Sequence, residues 1–188
     1  KYTDTENHWA RESIDYAAGR GLFSGTTDTR FSPNTAMDRG MLVTVLGRLA
    51  GADVSAYKTS SFTDVAAGKY YLPYVEWAYK KGIVSGIGNG KFDPERAVTR
   101  EEFALILQNY VKATGYILPV TREAITFADN SSIGCSYAAA VRAMQQAGIM
   151  MGCGGNKFNP KAGATRAEVA AMLHRYIKLT IDPATAQG

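Results

Sequence analysis

One spacing of glycine, proline and arginine occurs three times in this chain, and it constrains the fold more than any local signal. Gly21 and Arg39, Gly82 and Arg100, and Gly148 and Arg166 are each 18 residues apart. Between them lie Phe31-Ser32-Pro33, Phe92-Asp93-Pro94 and Phe158-Asn159-Pro160, always with the arginine six residues after the proline. Glycine pairs four apart open each series: Gly21 and Gly25, Gly82 and Gly86, Gly148 and Gly152. A period of about sixty residues held over three copies marks a repeat architecture, in which each unit is too small to bury a full core alone and leans on its neighbours. The copies are read as residues 1–58, 59–116 and 117–179. Residues 180–188, polar and holding Pro183, read as a tether to a neighbouring segment.

Within each copy the apolar residues have helical period. A first helix carries Ala10, Ile14 and Ala17, matched by Tyr71, Val75 and Ala78, then by Tyr137, Val141 and Met144. Each series ends on Gly21, Gly82 or Gly148, well placed to stop a helix in the left-handed conformation. A second helix has a wider stripe: Leu42, Val45, Leu46, Leu49 and Ala50 in copy one. The matching sets are Phe103, Ile106, Leu107, Tyr110 and Val111, and Val169, Met172, Leu173, Tyr176 and Ile177. The expected class is all-α, three helix-loop-helix units whose second helices share a central three-helix bundle.

Composition removes several function classes. The net charge of +4 is mild and the basic residues are scattered, with no basic helix, zinc-finger or RNA-recognition signature, so nucleic acid is not an expected partner. No apolar run approaches the roughly 18 residues of a membrane span, and no leader pattern is visible at Lys1, where the chain starts inside a motif. No cofactor or metal motif is present. The two cysteines, Cys135 and Cys153, flank the first helix of copy three. Two readings stay open for them: a disulfide, if the following loop folds back along that helix, or two buried thiols.

The second helices begin at Asp38-Arg39-Gly40-Met41, Thr99-Arg100-Glu101-Glu102 and Thr165-Arg166-Ala167-Glu168. Thr-x-x-Glu is a capping box, complete in copies two and three and reduced in copy one to Asp38, with Met41 in the glutamate position. The arginine is not needed for capping, and a helix N-terminus is a mildly unfavourable place for a cation. Arg39, Arg100 and Arg166 beside free backbone N–H groups would instead form anion sites suited to a carboxylate or phosphate. The competing reading is an ion pair between copies, with Asp4, Asp64 or Asp129 as partner; these aspartates also join the candidate binding set. Alignment on the glycines places Trp9, Tyr70 and Ser136 at one position, where the two aromatics could face a sugar ring. The groove built on Ser136 is the weakest of the three, Tyr137 next to it being assigned to the helix face. Gly25, Gly86 and Gly152 would allow a ligand close to the backbone, or serve tight turns.

Together His8-Trp9-Ala10, the Gly-Leu/Ile-x-x-x-Gly turns, the Phe-x-Pro loops and the Thr-Arg-x-Glu helix starts resemble a triplet of S-layer homology repeats, from Tyr2 to about Lys178. The resemblance implies a pseudo-threefold, three-pronged spindle with grooves between the prongs. It further implies non-covalent anchoring of an extracellular protein to the bacterial cell wall. The ligand it implies is a secondary cell-wall polysaccharide carrying pyruvate ketals on N-acetylmannosamine. The isolated triplet is expected to be a monomer and not an enzyme. The alternatives are a protein-interaction or structural module, or the anchor segment of a larger cell-wall enzyme. Catalysis within the chain has little to stand on: His8 and His174 are its only histidines and no nucleophile elbow is present. A calcium-loaded docking module fares no better, because the loop from Gly88 to Glu101 lacks acidic residues at the early ligand positions. On this reading Arg39→Ala or Arg100→Ala should weaken polymer binding with little loss of fold.

Overall fold

The computed structural model describes residues 1–182, so the reading of the tail from 183 onward lies outside the described residues. Six α-helices carry the fold: α1 Arg11–Gly19, α2 Arg39–Leu49, α3 Leu72–Lys80, α4 Arg100–Ala113, α5 Ala138–Gln146 and α6 Arg166–Thr180. No strand forms among the described residues beyond isolated bridges. The helices stop where the sequence says they should. Gly21, Gly82 and Gly148 take φ values of 73°, 72° and 76°, and each N–H closes the last turn of its helix. The apolar stripes are buried from Ile14 and Val75 to Phe103, Leu107, Leu173 and Tyr176, except that Leu49 and Tyr137 are half-buried and Ala50 is exposed.

Helix pairing crosses the repeat boundaries. The close pairs are α2 with α3, α4 with α5, and α6 with α1, so each second helix packs on the first helix of the next copy and the last closes on the first. Gly47 on α2 marks one such contact, since a Cβ there would collide with the Tyr74 ring of α3. At the closing pair, Tyr16 of α1 stacks on His174 of α6 at 4.1 Å and Ser13 hydrogen-bonds the same imidazole at 3.0 Å. The second helices also meet through side chains, with Tyr110 of α4 edge-on to Tyr176 of α6.

A ring of backbone hydrogen bonds joins the three copies just ahead of α2, α4 and α6. Met37 N–H donates to the Ala164 carbonyl, Ala164 N–H to Val98, and Val98 N–H to Met37, at 2.8–2.9 Å. One turn further on the pattern repeats. The N–H groups of Arg39, Arg100 and Arg166 donate to Arg96, Ala162 and Thr35, and those of Gly40, Glu101 and Ala167 to Pro94, Pro160 and Pro33. The third N–H of each helix is taken by the cap, through Asp38 to Met41, Thr99 to Glu102 and Thr165 to Glu168. The helix starts are therefore already satisfied by the neighbouring copy, and no free N–H cluster remains there to form an anion site.

The Phe-x-Pro loops that accept these bonds are held by the repeated aspartates. Asp4 accepts from the N–H groups of Phe31 and Ser32, Asp64 from Phe92 and Asp93, and Asp129 from Phe158 and Asn159, all at 2.8–2.9 Å. The clamp fixes a demanding conformation: Ser32, Asp93 and Asn159 sit at φ 57°, 58° and 54°, where a side chain is strained. Burial would raise the Asp4 and Asp64 carboxyls, but those N–H donors, with Arg30 or Lys91 nearby, hold both below the ordinary value. Asp129 is lowered chiefly by the Phe158 N–H. A lowered carboxylate pKa adds stability that is complete above the unfolded value near ~3.9 and is lost as pH falls through the folded value. Asp64→Ala should cost about 1–2 kcal/mol in urea unfolding at pH 7, the exposed setting reducing the full value of a charged hydrogen bond. Its penalty should shrink as the pH is taken below about 4, where the wild-type carboxylate also protonates.

Candidate functional site

Each helix-start arginine reaches out of its own copy into the next. Arg39 is 4% exposed; its Nε donates to the Phe92 carbonyl at 2.9 Å and its Nη1 meets Glu102 at 2.7 Å. Arg100 repeats this with the Phe158 carbonyl at 2.8 Å and Glu168 at 2.5 Å. Arg166 keeps the backbone contact, to Phe31 at 2.9 Å, and adds the Ser24 carbonyl at 2.7 Å. Each guanidinium also lies over the phenylalanine ring whose carbonyl it binds, at 4.6, 5.2 and 4.6 Å. Desolvation lowers the Arg39 and Arg166 pKa values from a very high starting point, so both stay charged.

Two sequence-based expectations need correction here. Arg39 and Arg100 pair with Glu102 and Glu168 and not with Asp4, Asp64 or Asp129, which are engaged with the Phe-x-Pro loops, and Arg166 binds only backbone carbonyls. The capping box is also complete only at α4. In α6, Thr165 still caps the Glu168 N–H, but the Glu168 carboxylate is directed to Arg100 of the neighbouring copy.

Around Arg39 and Arg100 run clefts that draw on all three copies. The Arg39 cleft is lined by the Ile83–Gly86 turn, Glu102, Ile106 and Asn109 of copy two, and Tyr137 of copy three. The Arg100 cleft is lined by the 149–153 turn, Glu168 and Arg175 of copy three, and Trp9 of copy one. The corresponding contacts of Arg166 are with copy one: the carbonyl of Ser24, and the Phe23 ring at 5.8 Å. Tyr70 of copy two lies within electrostatic reach of Arg166, its phenol pushed up to about 12 by desolvation and then by the Asp38 charge.

Trp9 and Tyr70 are 65% and 50% exposed, the disposition a sugar-facing ring needs. In copy three the residue that lines the cleft is Tyr137, not Ser136. Alignment on the glycines hid this, because Tyr137 falls in register with the core residues Ala10 and Tyr71. Gly86 and Gly152 line their clefts, yet all three turn glycines are required by the protein itself. A Cβ at Gly25, Gly86 or Gly152 would press on Tyr2, Phe62 or Phe127 respectively.

Cys135 and Cys153 are both free and exposed, so they form neither a disulfide nor a pair of buried thiols. Helix α5 lies between them, roughly 13 Å long at 1.5 Å per residue. The turn beyond it packs toward Phe127, and the Cys153 thiol accepts from Asn159 at 2.8 Å.

Residues 1–40, 61–104 and 126–170 each match the S-layer homology domain. The chain belongs to the S-layer homology domain family. Domains of this family are non-catalytic modules that bind cell-wall polymers and anchor proteins at the cell surface. The chain is 34% identical over 174 residues to an amylopullulanase of Thermoanaerobacterium thermosulfurigenes, covering 92% of this chain and 9% of that protein. It is 33% identical to the exoglucanase XynX of Acetivibrio thermocellus, covering 92% of this chain and 16% of that protein. It is 26% identical to the S-layer protein sap of Bacillus anthracis, over 89% of this chain and 20% of that protein. The S-layer homology triplet thus spans a small part of the relatives it matches, and the two enzymes share with it only that part.

Proposed function

We propose that this S-layer homology triplet anchors its parent protein by binding an anionic secondary cell-wall polysaccharide in the clefts between repeats. A glycan with pyruvate ketals on N-acetylmannosamine suits the residues present. The observation that carries the reading is the meeting, in one cleft, of a buried guanidinium from one copy with an exposed aromatic from another, as Arg100 and Trp9 do. The aromatic offers a face to the sugar's C–H surface, and the cation offers charge-assisted hydrogen bonds worth roughly 1.5–3 kcal/mol each to a ketal carboxylate. Several clefts on one polymer would gain further by effective concentration. The exoglucanase and amylopullulanase relatives favour the same role here, as the anchor segment of a larger wall-associated protein.

Purified wall sacculi should pull down the wild-type protein. Sacculi from which the pyruvate has been removed should retain much less of it. Equal retention by both preparations would remove the acidic substituent from the reading, and no retention by either would remove the wall polymer.

A further inference from the structure

One face of α6 lines two hollows in succession. Glu168, Ala171, Met172 and Arg175 border the Arg100–Trp9 cleft, and Arg175, Lys178 and Leu179 border a groove just beyond it. Steps of three and four keep these residues on one side of the helix, so the groove continues the cleft along it. From Glu168 to Lys178 the axis runs about 15 Å, at a rise of about 1.5 Å per residue. That is longer than a single sugar ring.

Past Arg175 the lining turns basic. Thr121 and Arg122, in the linker that enters copy three, also line the groove. Thr121 donates from its N–H and its hydroxyl to the Gln146 carbonyl, both at 2.9 Å, and Gln146 donates back to the Arg122 carbonyl at 3.4 Å. The linker is thereby tied to the C-terminal end of α5, where the helix dipole favours a cation. The Arg122 guanidinium lies so close over Gly148 that a Cβ there would collide with it, and it reaches the Met151 sulfur. Arg175 donates to the Ile149 carbonyl of the same turn at 3.0 Å, and Lys178 Nζ stands 5.3 Å from the Tyr16 ring. Neither Arg122 nor Arg175 is ion-paired among the described residues, and the one carboxylate in the lining is Glu12. In copy two, Tyr57 and Asn109 hold the places of Arg122 and Arg175. In copy one, Arg48 and Gly51 hold those of Arg175 and Lys178, so the three cations together belong to copy three.

We infer that the wall polymer, with one sugar at Trp9 and Arg100, continues along α6 into this groove, where Arg122, Arg175 and Lys178 take the acidic substituent of a following unit. Continuity with the cleft and three cations set against one carboxylate select that occupant. The inference rests on the proposed polysaccharide function and adds to it the direction in which the polymer crosses the protein.

The chain's two histidines stand at the two ends of this path and serve as reporters. His8 lies against Trp9, with ring centroids 5.5 Å apart. His174 lines the groove, stacked on Tyr16 and hydrogen-bonded to Ser13. Burial and the Lys178 and Arg175 charges hold its imidazole below the ordinary value, against the pull of Glu12. An anion bound beside those cations should raise it. The test is a pH titration of both rings by NMR, on the full chain alone and with each of three sugars. Pyruvate-ketal N-acetylmannosamine should shift His8 only. A fragment of the pyruvylated glycan several repeating units long should shift His8 and raise the His174 pKa, and the same fragment stripped of pyruvate should leave that pKa in place. In calorimetry, Arg122→Ala and Lys178→Gln should each weaken the acidic fragment by about threefold to tenfold and leave the monosaccharide within about twofold. A fragment that moves His8 without moving the His174 pKa, or that binds both variants as tightly as wild type, overturns the path and leaves the cleft reading standing. No response of either histidine to any of the sugars, with no binding to sacculi, overturns both.

Discussion

Replacing Arg39 or Arg100 by alanine is expected to cost about 3–5 kcal/mol of unfolding free energy, the usual result of breaking a buried ion pair from one side. For a chain of this size that corresponds to a melting temperature lower by on the order of 10 °C. The reason is the company each guanidinium keeps. Arg39 joins the start of α2 to a backbone carbonyl and a carboxylate of copy two, and Arg100 joins α4 to copy three in the same way. Removing Arg100 strands the half-buried Glu168 and a carbonyl at the seam between copies. Removing Arg39 strands a carbonyl and leaves Glu102 to Arg96, so its loss should fall at the lower end of the range. Arg166→Ala should cost less, about 1–3 kcal/mol, because it strands carbonyls but no carboxylate. Urea unfolding monitored by far-UV circular dichroism gives all three values. An equal loss at the three sites would show that the ion pairs contribute nothing beyond the backbone contacts. This reverses the expectation from sequence, in which Arg39→Ala and Arg100→Ala left the fold nearly intact.

The second large effect concerns truncation. A chain ending at residue 116 contains two complete copies by sequence, yet it should not fold cooperatively. Helix α4 would lose α5 and helix α1 would lose α6, leaving the buried faces that include Ile14, Ala17, Phe103 and Leu107 without partners. The ring of hydrogen bonds through Met37, Val98 and Ala164 would also be opened. At about 25 cal/mol per Å² of apolar surface, two unpaired helix faces outweigh the marginal stability of a domain this small. The full chain should melt in one transition. The fragment should show a weak, sloping helical signal, and a sharp transition from it would mean that the copies fold independently.

These two expectations show how much the sequence disclosed. The helices, their glycine stops and their apolar faces were legible because periodicity and turn chemistry are local properties. Which copy a helix packs against was not, since α3 presents the same apolar face whether its partner lies before or after it in the chain. The aspartates were misassigned for a related reason. A carboxylate that clamps two backbone N–H groups leaves no mark on the residues it binds, so Asp4, Asp64 and Asp129 looked available to the arginines. The true partners were visible as Glu102 and Glu168, but a capping role already accounted for them. The signal that could have separated the two roles was present in copy one, where a helix with a lone aspartate cap does without the glutamate. Alignment on the glycines assigns Tyr137 to the helix face, and a shift of one residue in register is what places it in the cleft.

The central claim is that the clefts between repeats are where the wall polymer binds. Its most direct test is a crystal structure of the protein with pyruvate-ketal N-acetylmannosamine bound. The sugar is predicted to occupy a cleft between copies, its ring against Trp9, Tyr70 or Tyr137 and its carboxylate turned toward the guanidinium. Sugar bound only on the outer faces of the helix pairs, away from all three arginines, would contradict it.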